Sequence, residues 1–318
     1  MRGRLWLNAV ETFGLVKVFP GVTAVDNLNL VVPERSCFGF LGPNGAGKTT
    51  TVKMLTGLTY PTDGTATVLG WSILTEISKI RKVVSYMPEF IPKPKGKALD
   101  LLVSLAGLNS SMDKQSLRAQ ARDLLEMLDL WEVKNRKVHT FSMGMFKKWL
   151  LALTLMGEPE VLFLDEPTAN LDPVGRVELL DLIKKLGRER TVFINSHVLP
   201  EVERVAENFA IINEGKLVIQ GTMKQLKEIV SGGTYTYVVK CSRPEELREF
   251  LESSEDVSSL ALEEGKIKLT TRNPEGVWVA LNKAYNEAGI TVTEFREAGQ
   301  NLEEIFLKLI KAGEEEGG

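Results

Sequence analysis

The sequence predicts an α/β fold built on a parallel sheet, with a β-rich start, a helical insertion and a small α+β domain at the end. Three observations carry that expectation. The apolar runs VLFLD (161–165), TVFIN (191–195) and FAIIN (209–213) alternate with helical patterns, as strands joined by crossover helices do. A glycine-rich run, LGPNGAGKTT (41–50), stands between a strand pattern and the helical stretch TVKMLTGL. Charge changes sign near Ser231-Gly232-Gly233. Residues 231–318 hold 10 Lys/Arg against 17 Asp/Glu, and the rest holds 29 against 25, so two domains meet at 230/231.

In chain order, segments 7–13, 27–32 and 36–41 read as strands, because β-branched and aromatic residues run between turn residues. Another strand is expected at 83–87. LDLLVSLAGL and SLRAQARDLLEMLDLW, within 97–135, then change to helical spacing, which defines a helical insertion at about 90–145. The last domain reads strand (234–240), helix (244–252), strand (256–262), strand (266–271), helix (275–288), strand (290–296) and helix (301–311). That βαββαβ order predicts a ferredoxin-like module with one extra helix, and the EEEGG end is expected to stay unstructured. The sequence has no internal repeat.

Composition narrows the function classes. With 43% apolar and 25% charged residues, the 318-residue chain is expected to be a soluble globular protein. A net charge of -3 gives no electrostatic basis for nucleic-acid binding. Cys37 and Cys241 lack metal-ligand spacing, and Cys37, inside CFGFLG, reads as a buried core thiol. No apolar run approaches the roughly 20 residues needed to cross a bilayer. WLLALTLM (149–156) is cut short by Gly157, Glu158 and Pro159, and MRGRLWLNAVE lacks a signal-peptide core, so a cytosolic chain is expected.

Two motifs carry chemistry by themselves. GPNGAGKT (42–49) fits G-x-x-x-x-G-K-[ST] at each fixed position. Gly45 and Gly47 permit the backbone angles that aim successive N–H groups at one phosphate, and the helix that follows adds its positive end. Lys48 is expected to reach the β- and γ-phosphates and Thr49 to offer its hydroxyl to Mg²⁺. Gly42, Pro43, Asn44, Ala46 and Thr50 complete the expected nucleotide cradle. In VLFLDEP (161–167), a strand delivers Asp165 to its carboxyl end, where it can hold a metal-bound water. Glu166, next in line, is placed to polarise an attacking water.

In this order, the motifs resemble those of the nucleotide-binding subunits of ABC transporters, over roughly residues 5–225. FSMGM (141–145) stands where that family carries its signature, usually Leu-Ser-Gly-Gly-Gln. The resemblance implies that Ser142 and Gly144 contact the γ-phosphate of ATP bound to an opposite subunit. Met143 replaces the first glycine and Met145 the glutamine. It also implies that Asp172 in ANLD touches the partner, and that His197 in INSHVLPEVE is the switch histidine at the γ-phosphate. Phe19 would be the aromatic stacking on adenine, and Val25 would pack on base or ribose. Glu89 occupies the usual glutamine position, where a contact with Mg²⁺ and the attacking water is implied. The basic, proline-rich IPKPKGK (91–97) suits either a hinge beside a groove for the membrane subunit or a solvated loop. His139 has no assigned role.

The cofactors implied are ATP and Mg²⁺. The implied assembly is a homodimer or pair of ATPase subunits on an integral-membrane permease, peripheral on the inner face of the cell membrane. QNLEEIFLKLI (300–310) resembles the ending of subunits paired with drug, sodium or polysaccharide exporters, so export is the expectation. The alternative is a non-transport ABC ATPase regulated through its C-terminal domain. Such ATPases in DNA repair carry long coiled-coil insertions, and those in translation generally two cassettes; this sequence has neither.

Overall fold

Strand β1 (Asn8–Phe19) pairs antiparallel with β2 (Val22–Leu28), β3 (Val31–Pro33) and, further on, β5 (Asp63–Val68). This computed structural model describes residues 8–108, 112–231 and 233–298. It divides into two units, Met1–Thr222 and Met223–Gly318.

In the first unit, β4 (Cys37–Leu41) runs through the glycine-rich loop into α1 (Lys48–Leu55). The short β6 (Trp71–Ser72) and α2 (Ile77–Ile80) lead to β7 (Val84–Met87). The helical insertion holds α3 (Ala98–Ala106), α4 (Lys114–Met127) and two single 3₁₀ turns at Trp131–Val133 and Val138–Thr140. Helix α5 (Met143–Leu155), β8 (Val161–Asp165), α6 (Pro173–Leu186), β9 (Thr191–Ser196), α7 (Leu199–Val205), β10 (Asn208–Asn213) and β11 (Lys216–Thr222) complete it.

Six strands form the central sheet in the order β11-β10-β4-β9-β8-β7. All but β11 are parallel, so the carboxyl ends of β4, β7, β8 and β9 open on one edge. Each central strand is a near-continuous apolar run because both of its faces are covered. On one face Phe193 lies 5.4 Å from Phe38 and 5.2 Å from both Phe40 and Phe163, ring centre to ring centre. These rings join the core under the antiparallel sheet. On the other face α7 packs so closely on β4 that a Cβ at Gly39 would lie 2.3 Å from Val202 Cγ1. Cys37 is buried as expected, and burial pushes its thiol up to about 11.

The expected strand at 27–32 is two strands. Asn27 takes a left-handed φ of 49°, which an asparagine tolerates better than most residues. Thr12 then bridges the break: its hydroxyl donates to the Leu28 carbonyl at 2.7 Å and accepts from the Leu30 amide at 2.8 Å. β1 also runs six residues past the expected 7–13, as far as Phe19. β5, β6 and β11 were not expected, and all three are strands with mixed polar and apolar faces.

The second unit contains α8 (Met223–Ser231), β12 (Tyr235–Cys241), α9 (Pro244–Glu252), β13 (Val257–Glu263), β14 (Lys266–Thr271), α10 (Pro274–Ala288) and β15 (Val292–Glu297). Its antiparallel sheet has the order β13-β14-β12-β15. Val239, Ile267 and Leu269 of the sheet and Leu247, Leu251, Val277 and Leu281 of the two helices form its core. Gly289 stops α10 by turning left-handed at φ 64°. The expected helix at 301–311 and the EEEGG end lie outside the described residues.

Candidate nucleotide site

The site begins with a strand that cannot continue. After Leu41 the chain turns through Gly42–Gly47, with φ +86° at Gly45 and +100° at Gly47. A side chain at Gly47 would also place its Cβ 2.2 Å from the Ala24 carbonyl oxygen, so glycine is required twice over. Gly47 starts α1 with no side-chain cap, which leaves the first helical N–H groups directed at the loop. Lys48 is 7% exposed and donates to the carbonyls of Gly42 (2.8 Å) and Pro43 (3.0 Å). Burial pulls its ammonium below the usual lysine range, against the opposing charges of Glu166, Asp165 and Glu89.

Parallel register supplies the other half. Asp165, last in β8, faces Asn195 of β9 across the ladder. Thr49 Oγ1 donates to Asp165 Oδ2 at 2.9 Å, Tyr86 Oη donates to the same oxygen at 3.0 Å, and Asn195 Nδ2 donates to Oδ1. Burial holds the Asp165 carboxyl above the usual range, although the Thr49 and Tyr86 hydrogen bonds act the other way. Burial and the Asp165 charge together push the Tyr86 phenol up.

Glu166 is the one residue of this cluster in the left-handed region, at φ 45°. For a residue other than glycine this costs on the order of 1–3 kcal/mol. Its N–H donates to the Asn195 carbonyl at 2.9 Å, and its carboxylate accepts from Ser196 Oγ at 3.2 Å. Oε1 further accepts from the His197 amide at 2.9 Å, and His197 Nδ1 lies 2.7 Å from the same oxygen. A carboxylate can only accept, so the imidazole donates from Nδ1.

These groups converge on a cavity of about 220 Å³. Of the expected nucleotide residues it is lined by Asn44, Gly45, Gly47, Lys48, Thr49 and Thr50, together with Glu89, Asp165, Glu166 and His197. Gly42, Pro43 and Ala46 support the loop from beneath: the Pro43 carbonyl accepts from both the Lys48 ammonium and the Ala46 amide. Phe19 stands apart at the tip of the β1–β2 hairpin, 39% exposed, with Lys17 Nζ 5.0 Å over its ring. Val25 corrects the expectation. It is fully buried under the loop, 3.3 Å from where a Gly47 Cβ would be, and has no surface to give a base or ribose.

Ser142, Gly144 and Asp172 line a separate cavity of about 280 Å³ in the same chain. Ser142 caps α5 by accepting from the Met145 amide at 3.2 Å, and Asp172 caps α6 by accepting from the Gly175 amide at 2.7 Å. A Cβ at Gly144 would meet nothing within 4 Å, so packing within the chain does not explain its smallness. Met143 is 37% exposed beside it.

Three further residues, Tyr86, Asn195 and Lys147, join the site without a motif to mark them. Lys147 had a readable signal. In MGMFKKWLLALTL it shares a helix face with Leu151 and Thr154, both buried, whereas Lys148 turns toward Glu178 at 3.0 Å. Burial lowers the Lys147 ammonium below its usual range.

The ABC transporter family profile matches residues 25–169, which span the loop, α5 and the Asp165-Glu166 pair. The bacitracin transport ATP-binding protein BcrA of Enterococcus faecalis is 33% identical over 310 residues, covering 96% of this chain and 97% of that one. The daunorubicin/doxorubicin resistance ATP-binding protein DrrA of Streptomyces peucetius is 31% identical, covering 95% and 92%. Among solved structures, an ATP-binding subunit of an ABC transporter superposes with a TM-score of 0.61 over 70% of this chain and 92% of its own; at 23% identity it speaks for the fold alone. Relatedness along nearly the whole length, together with this strand-end cluster, shows that the chain belongs to the ATP-binding proteins of ABC transporters.

Proposed function

We propose that the chain binds ATP with Mg²⁺ and hydrolyses it, as one of a pair of such subunits, to drive export through a separate membrane permease at the inner face of the cell membrane. The observation that carries this reading is the convergence of Lys48, Thr49, Asp165 and Glu166 on one cavity. Export is supported by the names of BcrA and DrrA, which concern bacitracin transport and drug resistance.

The donor set fits Mg²⁺. Asp165 and Thr49 offer hard oxygen atoms 2.9 Å apart, and Asn195 Oδ1 is buried beside them with no hydrogen-bond partner. Among the described residues no group of three His, Cys, Asp or Glu forms a metal cage. That suits an ion held by one or two side chains, water and phosphate oxygens. When bound, Mg²⁺ would neutralise charge on the β- and γ-phosphates, with Thr49 and Asp165 holding it and Glu89 facing it from the next strand end.

The remaining chemistry falls to the chain's own residues. Lys48 exchanges loop carbonyls for phosphate oxygens, and the loop amides cradle the same anion. Glu166 takes the role of general base or water-orienting carboxylate. The His197 ring holds its Oε1 and is the switch group next to the γ-phosphate. Ser142, Gly144 and Asp172 on their own cavity, with the exposed Met143 beside them, complete the site of the other subunit. Phe19 stacks on adenine. In domain terms, we read residues 1–230 as the ATP-binding domain and 231–318 as an accessory domain, although the chain divides eight residues earlier, between Thr222 and Met223, so that α8 falls in the second unit. We read the latter as ferredoxin-like, since βαββαβ chain order with sheet order β13-β14-β12-β15 is the arrangement of that fold.

The test is Glu166→Gln, which keeps shape and loses basicity. Steady-state turnover should fall at least ~100-fold while ATP·Mg²⁺ binding is retained. Near wild-type turnover would remove Glu166 from that role. Lys48→Ala should instead weaken binding itself, because a phosphate-paired cation is lost.

A further inference from the structure

We propose that Lys147 is a positioning residue that fixes the backbones of Glu89 and Glu166 and links both to the helix that begins at Ser142. The inference rests on the ATPase reading above and concerns a buried charge that reading leaves unused.

Lys147 is 2% exposed, yet it carries an ammonium group. A buried lysine needs acceptors, and this one has two main-chain oxygens: the carbonyls of Glu89 at 2.9 Å and Glu166 at 3.2 Å. Their positions are informative. β7 and β8 pair as far as Met87 and Leu164, and the two carbonyls lie just beyond. There the ladder has ended and the strands are free to part. The ammonium spans that gap and replaces the ladder bonds where the carboxylate-bearing residues stand.

Glu166 needs the support most, because its backbone is left-handed. Its N–H is held by the Asn195 carbonyl, and its carbonyl is held by Lys147 and by the Ala169 amide at 3.2 Å. The charge matters as well as the hydrogen bonds. Glu89, Glu166 and Asp165 are the acids whose fields act on Lys147, in that order. Glu89 is an exposed carboxylate facing the cavity, so Lys147 offsets from below the charge that Glu89 adds. Lys147 lies five residues into the helix capped by Ser142. A shift of that helix therefore reaches Glu89 and Glu166 through one side chain.

The experiment measures ATP·Mg²⁺ binding stoichiometry, KM and kcat per binding-competent site for the full chain and three variants. These are Lys147→Met, Lys147→Gln and Lys147→Gln combined with Glu89→Gln. We expect kcat to fall about tenfold in both single variants, equivalent to a barrier about 1.4 kcal/mol higher, with KM within twofold of wild type. The double variant should recover at least threefold over Lys147→Gln, because the acid left uncompensated is gone. A packing role for Lys147 would not respond to an exposed side chain at position 89. If Lys147→Met does not fold, the two glutamine variants carry the test. Wild-type kcat in a folded single variant overturns the inference and leaves the ATPase reading intact, as does a double variant no better than the single. Failure of all three to fold assigns Lys147 to stability and overturns it too. A wild-type chain that binds ATP without turning it over sinks the ATPase reading and this inference together.

Discussion

Phe19 and Val25 lie six residues apart on one hairpin and divide the labour between surface and core. The Phe19 ring is open to solvent and already carries the Lys17 ammonium, a contact worth about 0.5–1 kcal/mol at an exposed site. Base–aromatic stacking is worth roughly 1–3 kcal/mol on the scale measured for nucleic-acid bases, so adenine can outcompete or share that cation. Phe19→Ala should weaken ATP binding at least about fivefold while preserving the fold, with a fall in melting temperature of no more than about 4 °C from the lost Lys17 contact, and Phe19→Tyr is tolerated. Unchanged affinity in the alanine variant returns Phe19 to hairpin packing. Val25→Ala should do the reverse. It should lower unfolding stability by about 1–3 kcal/mol in a denaturant titration, because a fully buried side chain loses its contacts.

At the scale of elements, the start of α5 has one role in the structure, the N-cap, and a second that is proposed for it, and one substitution can separate them. As an N-cap, Ser142 satisfies a helix N–H, and losing that bond costs about 1 kcal/mol. As half of a shared site, it must tolerate a phosphate. Aspartate is an equally good cap but repels an anion. Ser142→Asp, made in the Glu166→Gln background, should therefore keep helix stability and lose ATP-dependent dimerisation in size-exclusion chromatography. A dimer as abundant as the parent's would reduce the stretch to an ordinary helix start.

What could be read from the sequence also divides by element. Strands buried on both faces announce themselves as unbroken apolar runs, and β4, β8, β9 and β10 were all legible to within a residue or so. β5 and β11 carry polar residues on one face, Thr65 and Thr67 in one and Gln220 and Thr222 in the other, and their alternation is too weak to stand out. The phosphate loop, Asp165, Glu166 and His197 were legible because each sits at a strand end with a distinctive neighbour. Tyr86 and Asn195 were not, since only strand register brings their side chains to Asp165. Val25 misled because its expected contact rested on its place beside Phe19 in the family resemblance, which does not show that the side chain lies fully buried under the loop.

At the scale of the whole molecule, the phosphate loop and FSMGM open on different cavities of one chain. If each completes its counterpart on a second chain, two different defects should complement. In the Glu166→Gln background, Lys48→Ala and Ser142→Arg chains should each fail to dimerise with ATP. A mixture can form a heterodimer with one intact site and should recover part of the ATP-dependent dimer. Ser142→Arg dimerising alone as well as its parent would refute the shared site.

The sheet order has a consequence for how the chain is made. β4 and β8 are not neighbours; β9 lies between them and is synthesised last of the three. The loop after Leu41 is synthesised roughly 150 residues before Ser196, on the order of 8–30 s earlier at ordinary translation speeds. Throughout that interval the nascent chain displays a phosphate-binding sequence with no wedge to seat Asp165 against Thr49. The Thr49–Asp165 contact thus waits for β9, the strand that joins β4 to β8 and is made after most of the first unit has been translated.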